Sequence, residues 1–180
     1  MRFYTARGDD GTTDLLGARV RKDDPRIEAI GSLDETTSAI GFGRSQAETA
    51  EVRESLIEVQ RDLYRIMAEL AFTPDLRPPS YELGQDRVDW IGAATDHFSD
   101  RVELPPEFII PGESAPGAAL DVARVVARRA ERHLVALSNA GQMVNPAILS
   151  YLNRLSSLLF IVARVEDAAA GAAPLRAKSR

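Results

Sequence analysis

From Asn145 to Gly171 the chain reads NPAILSYLNRLSSLLFIVARVEDAAAG, and this stretch constrains the fold more than any other. Asn145 followed by Pro146 is a helix start: an asparagine side chain accepts from the free first-turn amides, and proline suits the first helical position. Gly171 is the stop. Between Leu158 and Ala163 the helix is apolar almost all round. A helix without a wet face is either central in its domain or covered by another subunit. With only five helices in the chain to cover it, an oligomer is the expectation.

The same punctuation recurs upstream. Asp24 and Pro25 open a first helix in which Ile27, Ile30, Leu33, Thr37 and Ile40 recur at helical spacing until Gly41 and Gly43. A second runs roughly from Glu48 to Phe72, with Val52, Leu56, Val59, Leu63, Ile66 and Leu70 as its apolar stripe, and prolines 74, 78 and 79 end it. Ser80 caps a third, weaker helix containing Val88, Ile91, Ala94 and Phe98. The stretch RVELPPEFIIPGESAPG is too interrupted for a helix and long for a connector, and such loops usually carry function. A fourth helix begins near Ala118, carries Val122, Val126, Ala130 and Leu137 on one side, and stops at Gly141. No strand alternation of useful length and no internal repeat interrupts this pattern.

The architecture expected is therefore all-α: a five-helix antiparallel bundle of ferritin-like type in a single domain of 180 residues. Residues 1–24 form a polar, glycine-punctuated arm with short extended pieces, residues 25–171 the bundle, and residues 172–180 a frayed basic tail.

Composition removes several chemistries. The chain has no cysteine, which excludes disulfides, thiolate nucleophiles and Cys-ligated metal centres. Lys and Arg number 22 against 27 Asp and Glu, a formal charge of −5, which argues against nonspecific nucleic-acid binding. No stretch approaches the roughly 20 apolar residues of a membrane span, and MRFYTARGDDG lacks the apolar core of a secretory signal. A cytoplasmic enzyme or binding protein is the expectation, with neither nucleic acid nor membrane as partner.

Four segments carry candidate chemistry. In the arm, GDDGTT is a turn that can offer backbone amides to an anion, with Asp9 or Asp10 near enough to help hold a cation. It lacks the spacing of a Walker A loop. Arg7, Arg19, Arg21 and Lys22 flank it with phosphate-compatible charge. A solvated arm with ordinary turns is the plainer alternative. On the fourth helix Arg124, Arg128 and Arg132 stand four apart and share a face, with Arg129 on the neighbouring one and Glu131 placed to orient an arginine. The alternatives there are polyanion binding and a solvated basic face. Asp34, one turn after Ile30, lies on the first helix's apolar stripe; it either pairs with a fourth-helix arginine or faces solvent. Asn153 and Arg154 sit mid-helix among large apolar residues, where an amide can bond a ligand or a neighbouring backbone. His97 and His133 show no metal-ligand spacing.

YTARGDDGTTDL with Arg19, Val20 and Lys22, then RIEAIGSLDE, FIIPG, ARVVARRAER and NPAILSYLNRLSSLLFIVAR occur in this order from Tyr4 to Arg164. In these blocks the chain resembles the PduO-type ATP:cob(I)alamin (corrinoid) adenosyltransferases. The resemblance implies a homotrimer of five-helix bundles with active sites at the subunit interfaces. Its substrates would be ATP, with Mg²⁺ on the phosphates, and cobalamin; the 5′-deoxyadenosyl group passes to cobalt and triphosphate leaves. It assigns Thr5, Arg7, Gly8, Asp9, Gly11, Thr12, Thr13 and Lys22 of the arm to ATP, completed by Arg128, Glu131 and Asn153 of an adjoining subunit. It pairs Asp34 with Arg124 across the interface in support of corrinoid binding, and lays Phe108 against the lower face of the corrin. Arg128 and Phe108 are thereby the catalytic candidates; a flavin reductase and an adenosylcobalamin-dependent mutase are possible partners in such a system.

The chain departs from the family pattern at three places. Ala6 stands where a basic residue is common, with Arg7 next; Ser157 replaces a usual aspartate; Asp121 replaces a frequent histidine. Two rival functions stand beside the enzyme: a non-catalytic ATP- or corrinoid-binding carrier that delivers adenosylcobalamin to a mutase, and a purely structural helical oligomer.

Overall fold

The structure, a computed structural model, describes residues 4–142 and 145–178. Arm residues 1–3 and tail residues 179–180 lie outside the described residues. Five helices follow one another: α1 (Pro25–Gln46), α2 (Ala50–Ala71), α3 (Gln85–Ser99), α4 (Ala115–Asn139) and α5 (Pro146–Ala169). Neighbours run antiparallel, as their cross-contacts require. Glu28 meets His133 while Glu35 meets Arg129, so α1 opposes α4; Asp121 meets Arg164 while Glu131 meets Asn153, so α4 opposes α5.

α5 lies in the middle of the bundle, between α3 and α4. Leu158, Leu159, Val162 and Ala163 are fully covered within the single protomer. The apolar girth of this helix is thus accounted for by its own domain, and it gives no argument for an oligomer, contrary to the expectation drawn from it. By length and composition α5 also qualifies to cross a membrane, which corrects the statement that no segment does; here it is a core helix carrying buried Arg164, Glu166 and Asp167. The α2 stripe is buried as its spacing predicts, from Val52 to Leu70. Truncating any such leucine to alanine costs about 2–5 kcal/mol.

Three helix limits differ from the sequence reading, each for a tertiary reason. α1 runs through Gly41 and Gly43 to Gln46, because Gly43 serves close approach instead of a stop: a Cβ there would lie 2.7 Å from Leu120 Cδ2 of α4. α4 starts earlier than Ala118, at Ala115, since the Ser114 hydroxyl caps it by accepting from the Gly117 amide at 3.0 Å. α3 starts at Gln85, not after Ser80, which lies in one of two short 3-10 turns (Pro74–Leu76 and Pro79–Tyr81). Buried Glu69 holds this segment by accepting from Arg77 (3.0 Å), the Leu83 amide (2.8 Å) and Asn145 (3.1 Å). α2 has no side-chain cap of its own; Glu166 of α5 reaches across to accept from the Glu48 and Thr49 amides at 2.8 and 3.1 Å.

The extended pieces form two small antiparallel pairs. In the arm, β1 (Thr12–Leu15) pairs with β2 (Ala18–Arg21) through a turn at Leu16 and Gly17. Gly17 has φ of 110°, and a Cβ there would press within 2.7 Å of Thr73 and Leu76, so glycine is required. Leu16 exchanges backbone bonds with Ala71 (2.9 Å) and Thr73 (3.0 Å), mooring the hairpin on the C-terminal end of α2. The second pair joins β3 (Ile109–Ile110) to β4 (Leu175–Arg176). The segment read as a frayed tail therefore folds back onto FIIPG, and the Ala177 amide donates to the Phe108 carbonyl at 2.7 Å.

Candidate functional site

Antiparallel packing of α4 on α5 lines up their polar residues as rungs of one seam. At i, i+4 and i+7, Arg124, Arg128 and Glu131 share a stripe of α4; at i, i+4 and i+7, Asn153, Ser157 and Phe160 share one of α5. At one end Asn153 Nδ2 donates to Glu131 Oε1 at 3.2 Å. In the middle a depression of about 370 Å³ is lined by Arg124, Arg128, Ser157, Phe160 and Leu104, with Asp96 contributed by α3. At the other end buried Asp121 accepts from Arg164 at 2.5 Å and from Arg124 Nε at 2.9 Å.

Arg128 is exposed, and its guanidinium has no ion pair with any described residue. Arg132 donates to the Arg128 carbonyl at 3.1 Å, and Arg129 pairs with Glu35 of α1. The four arginines are thus distinguished by packing: one clamped, one open to the depression, one paired with α1 and one on the outer surface. Asp34 is exposed and pairs with none of them inside the protomer, so its placement on the buried stripe of α1 is corrected; the stripe runs through Ala29, Ser32, Leu33 and Thr36 instead. On α4 the same holds for Val122, which is 54% exposed and lines a surface depression with Val125.

Phe108 is 89% exposed, which removes the reading of a core phenylalanine. It projects from the loop between α3 and α4, braced by β4 behind it and by an ion pair of Glu107 with Arg176 at 3.5 Å. A second depression of about 350 Å³ lies here, lined by Leu104, Pro105, Pro106, Phe108, Arg124 and Phe160. Arg124, Phe160 and Leu104 are common to both depressions, so the apolar shelf under Phe108 and the cationic seam are continuous. Phe160 and Leu104 escaped the sequence reading, although Phe160 stands seven residues after Asn153 on the same helix stripe.

The arm separates its own cations. Arg21 is held by Asp23 (2.8 Å) and Arg19 by Asp14 (2.8 Å), and these partners raise both guanidinium pKa values further. Lys22 Nζ donates to the Gly8 carbonyl at 2.8 Å, closing the GDDGTT turn over its own base. Asp10 accepts from the Thr12 hydroxyl (2.6 Å) and amide (3.0 Å), and these bonds hold its carboxyl below the usual aspartate value. Ala6 adopts φ of 59°, a conformation uncommon for alanine, and Arg7 donates its backbone amide to Thr5 Oγ1 at 3.4 Å. Thr5, Arg7, Gly8, Asp9, Gly11, Thr12, Thr13 and Lys22 therefore share one small turn-and-hairpin unit. Among the described residues, no hydrogen bond or ion pair joins this unit to Arg124, Arg128, Glu131 or Asn153. The structure thus gathers the candidate residues into two clusters on one protomer. No group of three or more His, Asp or Glu among the described residues is arranged to hold a metal.

The chemistry open to such a surface is amphipathic. The seam offers guanidinium and amide groups to a polyanion, and the shelf at Phe108 offers an apolar plane to a flat ligand. A family model described as cobalamin adenosyltransferase matches residues 3–166. A cobalamin adenosyltransferase of Cupriavidus metallidurans is 41% identical over 172 residues, covering 94% of this chain and 90% of that one. A corrinoid adenosyltransferase of Bacillus subtilis is 34% identical over 175 residues, covering 95% and 89%. The corrinoid adenosyltransferase PduO of Salmonella typhimurium is 38% identical over 93% of this chain, which spans only 50% of that longer protein. Among solved structures, a phenylalanine-to-alanine variant of the PduO-type ATP:corrinoid adenosyltransferase from Lactobacillus reuteri, complexed with cobalamin and ATP, superposes with a TM-score of 0.90. It is 30% identical, covering 99% of this chain and all of that one.

Proposed function

The chain belongs to the cobalamin adenosyltransferase family, and from that premise we propose that it transfers the 5′-deoxyadenosyl group of ATP to cob(I)alamin and releases triphosphate. The observation that carries this reading is the continuity of the Arg124–Arg128 seam with the exposed Phe108 shelf. One surface thereby suits both a leaving polyphosphate and a corrin face.

Cob(I)alamin is itself a strong nucleophile, so the protein need supply no thiolate, serine or general base. A cobalt electron pair forms the bond to C5′; the C5′–O bond breaks and its electron pair leaves with triphosphate. Charge grows on that oxygen, and Arg128, open and unpaired, is the group to meet it; such a donor is worth about 10²–10³ in rate. Glu131 and Asn153, already joined, hold the nucleotide's other end of the seam. The arm's Thr5, Arg7, Gly8, Asp9, Gly11, Thr12, Thr13 and Lys22 bind ATP, with the Lys22 ammonium turning from the Gly8 carbonyl to phosphate. Mg²⁺, carried on the phosphates, would find carboxylates in Asp9 and Asp10, although Asp10 already spends one oxygen on Thr12, and it supplies charge neutralisation. Phe108 excludes a lower axial donor from cobalt, which eases formation of cobalt(I).

Because no hydrogen bond or ion pair among the described residues joins the arm to the seam, the proposed site is one arm against the seam of an adjoining copy, in the homotrimer that the family resemblance implies. The exposed apolar side chains of Phe42, Val122 and Val125 are suited to such a contact, and Asp34 would there reach Arg124 of the neighbour. The test is incubation with ATP, Mg²⁺ and chemically reduced cobalamin while the cob(I)alamin spectrum is followed. Loss of that spectrum with formation of adenosylcobalamin is expected; a rate no higher than the protein-free control overturns the reading.

A further inference from the structure

Beneath the seam lies a buried charged cluster that the proposed chemistry does not use. Asp121, Arg164 and Asp167 are 5%, 3% and 2% exposed. Arg164 Nη2 lies 2.5 Å from Asp121 and 3.0 Å from Asp167. Asp167 in turn accepts from the Ser114 hydroxyl at 2.6 Å, tying the cluster to the cap of α4. Buried carboxylates need such partners, and Arg164 alone serves both. Asp121 still has its Oδ1 free of Arg164, and it spends that oxygen on Arg124 Nε at 2.9 Å.

The edge of the guanidinium that is engaged matters. Bonded through Nε, Arg124 has its guanidinium tethered to Asp121, and its Nη groups make no hydrogen bond to any described residue. Arg124 lines three depressions: the Phe108 shelf, the Arg128 seam, and a third of about 290 Å³ shared with Pro111, Gly112, Asp121, Val122 and Val125. A long side chain at such a junction would otherwise sample many rotamers and lose that freedom each time a ligand binds.

Building on the function proposed above, we infer that Asp121 is a positioning residue: it acts through Arg124, presetting that guanidinium for the corrinoid without touching either substrate. Arg164 shares its one charge between Asp121 and Asp167, and Arg124 is the second cation that balances the two carboxylates. Asp121→Asn keeps the size of the side chain and leaves Arg164 paired with Asp167, so the bundle retains its buried pairing.

The experiment measures KM for cob(I)alamin and for ATP, with kcat, in wild type, Asp121→Asn, Asp167→Asn, Arg124→Ala and the double variant Asp121→Asn/Arg124→Ala. The inference predicts that Asp121→Asn raises the corrinoid KM about tenfold, the scale of fixing one long side chain, with the ATP KM within about twofold of wild type. Asp167→Asn, which disturbs the same cluster from its far end, leaves both KM values in place. In the Arg124→Ala background, Asp121→Asn adds nothing. A wild-type corrinoid KM in Asp121→Asn, an equal rise in Asp167→Asn, or a further loss in the double variant each overturns the inference. Wild-type turnover in the same assay reports separately on the proposed function, so a silent Asp121→Asn beside an active wild type sinks only the positioning role.

Discussion

Asn153 of α5 donates its side-chain amide to Glu131 of α4 at 3.2 Å, and this one bond sets the polar end of the seam. Both groups lie at the surface, so the bond adds only about 0.5–1 kcal/mol to stability. Its use is to fix two ligand-facing groups in one geometry. Glu131→Ala and Asn153→Ala are each expected to raise the ATP KM about tenfold with little change in melting temperature. Because each holds the other, the double variant should lose less than the product of the two. Full multiplicativity in a double-mutant cycle would show that they act independently.

Phe108 exposes its ring while its backbone is pinned by Ala177. Phe108→Ala should therefore shift stability by less than about 0.5 kcal/mol. Its cost is expected in the reaction that starts from cob(II)alamin with a reductase, far more than in the assay begun with cob(I)alamin. Equal losses in the two assays would remove the lower-face role.

Gly17 seats the arm hairpin against Thr73 and Leu76. Gly17→Ala meets both an unfavourable backbone conformation and a close contact, a local strain of about 1–3 kcal/mol. The atoms met belong to the segment that follows α2, and to none of the five helices. Limited proteolysis should find residues 4–22 cleaved faster while the melting temperature of the helices stays within a few degrees. A cooperative loss of the whole fold would mean the hairpin is integral to the core.

Tyr151 donates its phenol to Asp62 at 2.9 Å beside the bidentate Arg87 pair. Burial, then the Asp62 charge, pushes the phenol pKa well above 10. A group whose folded pKa is raised contributes stability that is complete below its unfolded value and is lost as pH rises through the folded one. Wild type should thus begin to lose melting temperature above about pH 10, whereas Tyr151→Phe should be lower by about 1 kcal/mol at neutral pH and flatter in the alkaline range. Parallel curves for the two proteins would refute the assignment.

The helices were legible because caps and periodicity are local. Asp24–Pro25 and Asn145–Pro146 mark true starts, and the α2 stripe lies buried as spaced. What escaped was set by distant residues. Gly43 reads as a stop until Leu120 is seen against it, and Ser80 reads as a cap until Glu69 is seen to hold residues 77–83. Likewise, nothing local tells that 175–176 pair with 109–110, or that α5 is wrapped by its own protomer. Among site residues, helix arithmetic puts Arg128 and Glu131 on one face, whereas Asn153 is joined to them only by the family resemblance. The depth of Asp121, the openness of Phe108 and the solvent-facing position of Asp34 needed the fold.

The most direct test of the account is complementation between protomers. Arg128→Ala breaks the seam and Lys22→Ala the arm, and each alone should lose turnover about 100-fold or more. After unfolding and refolding the two together, random assembly leaves some sites with an intact arm from one copy and an intact seam from the next. Activity should return to about a quarter of wild type. Mixed assemblies, verified by tagging both chains, that remain as inactive as either parent would contradict a site shared between subunits.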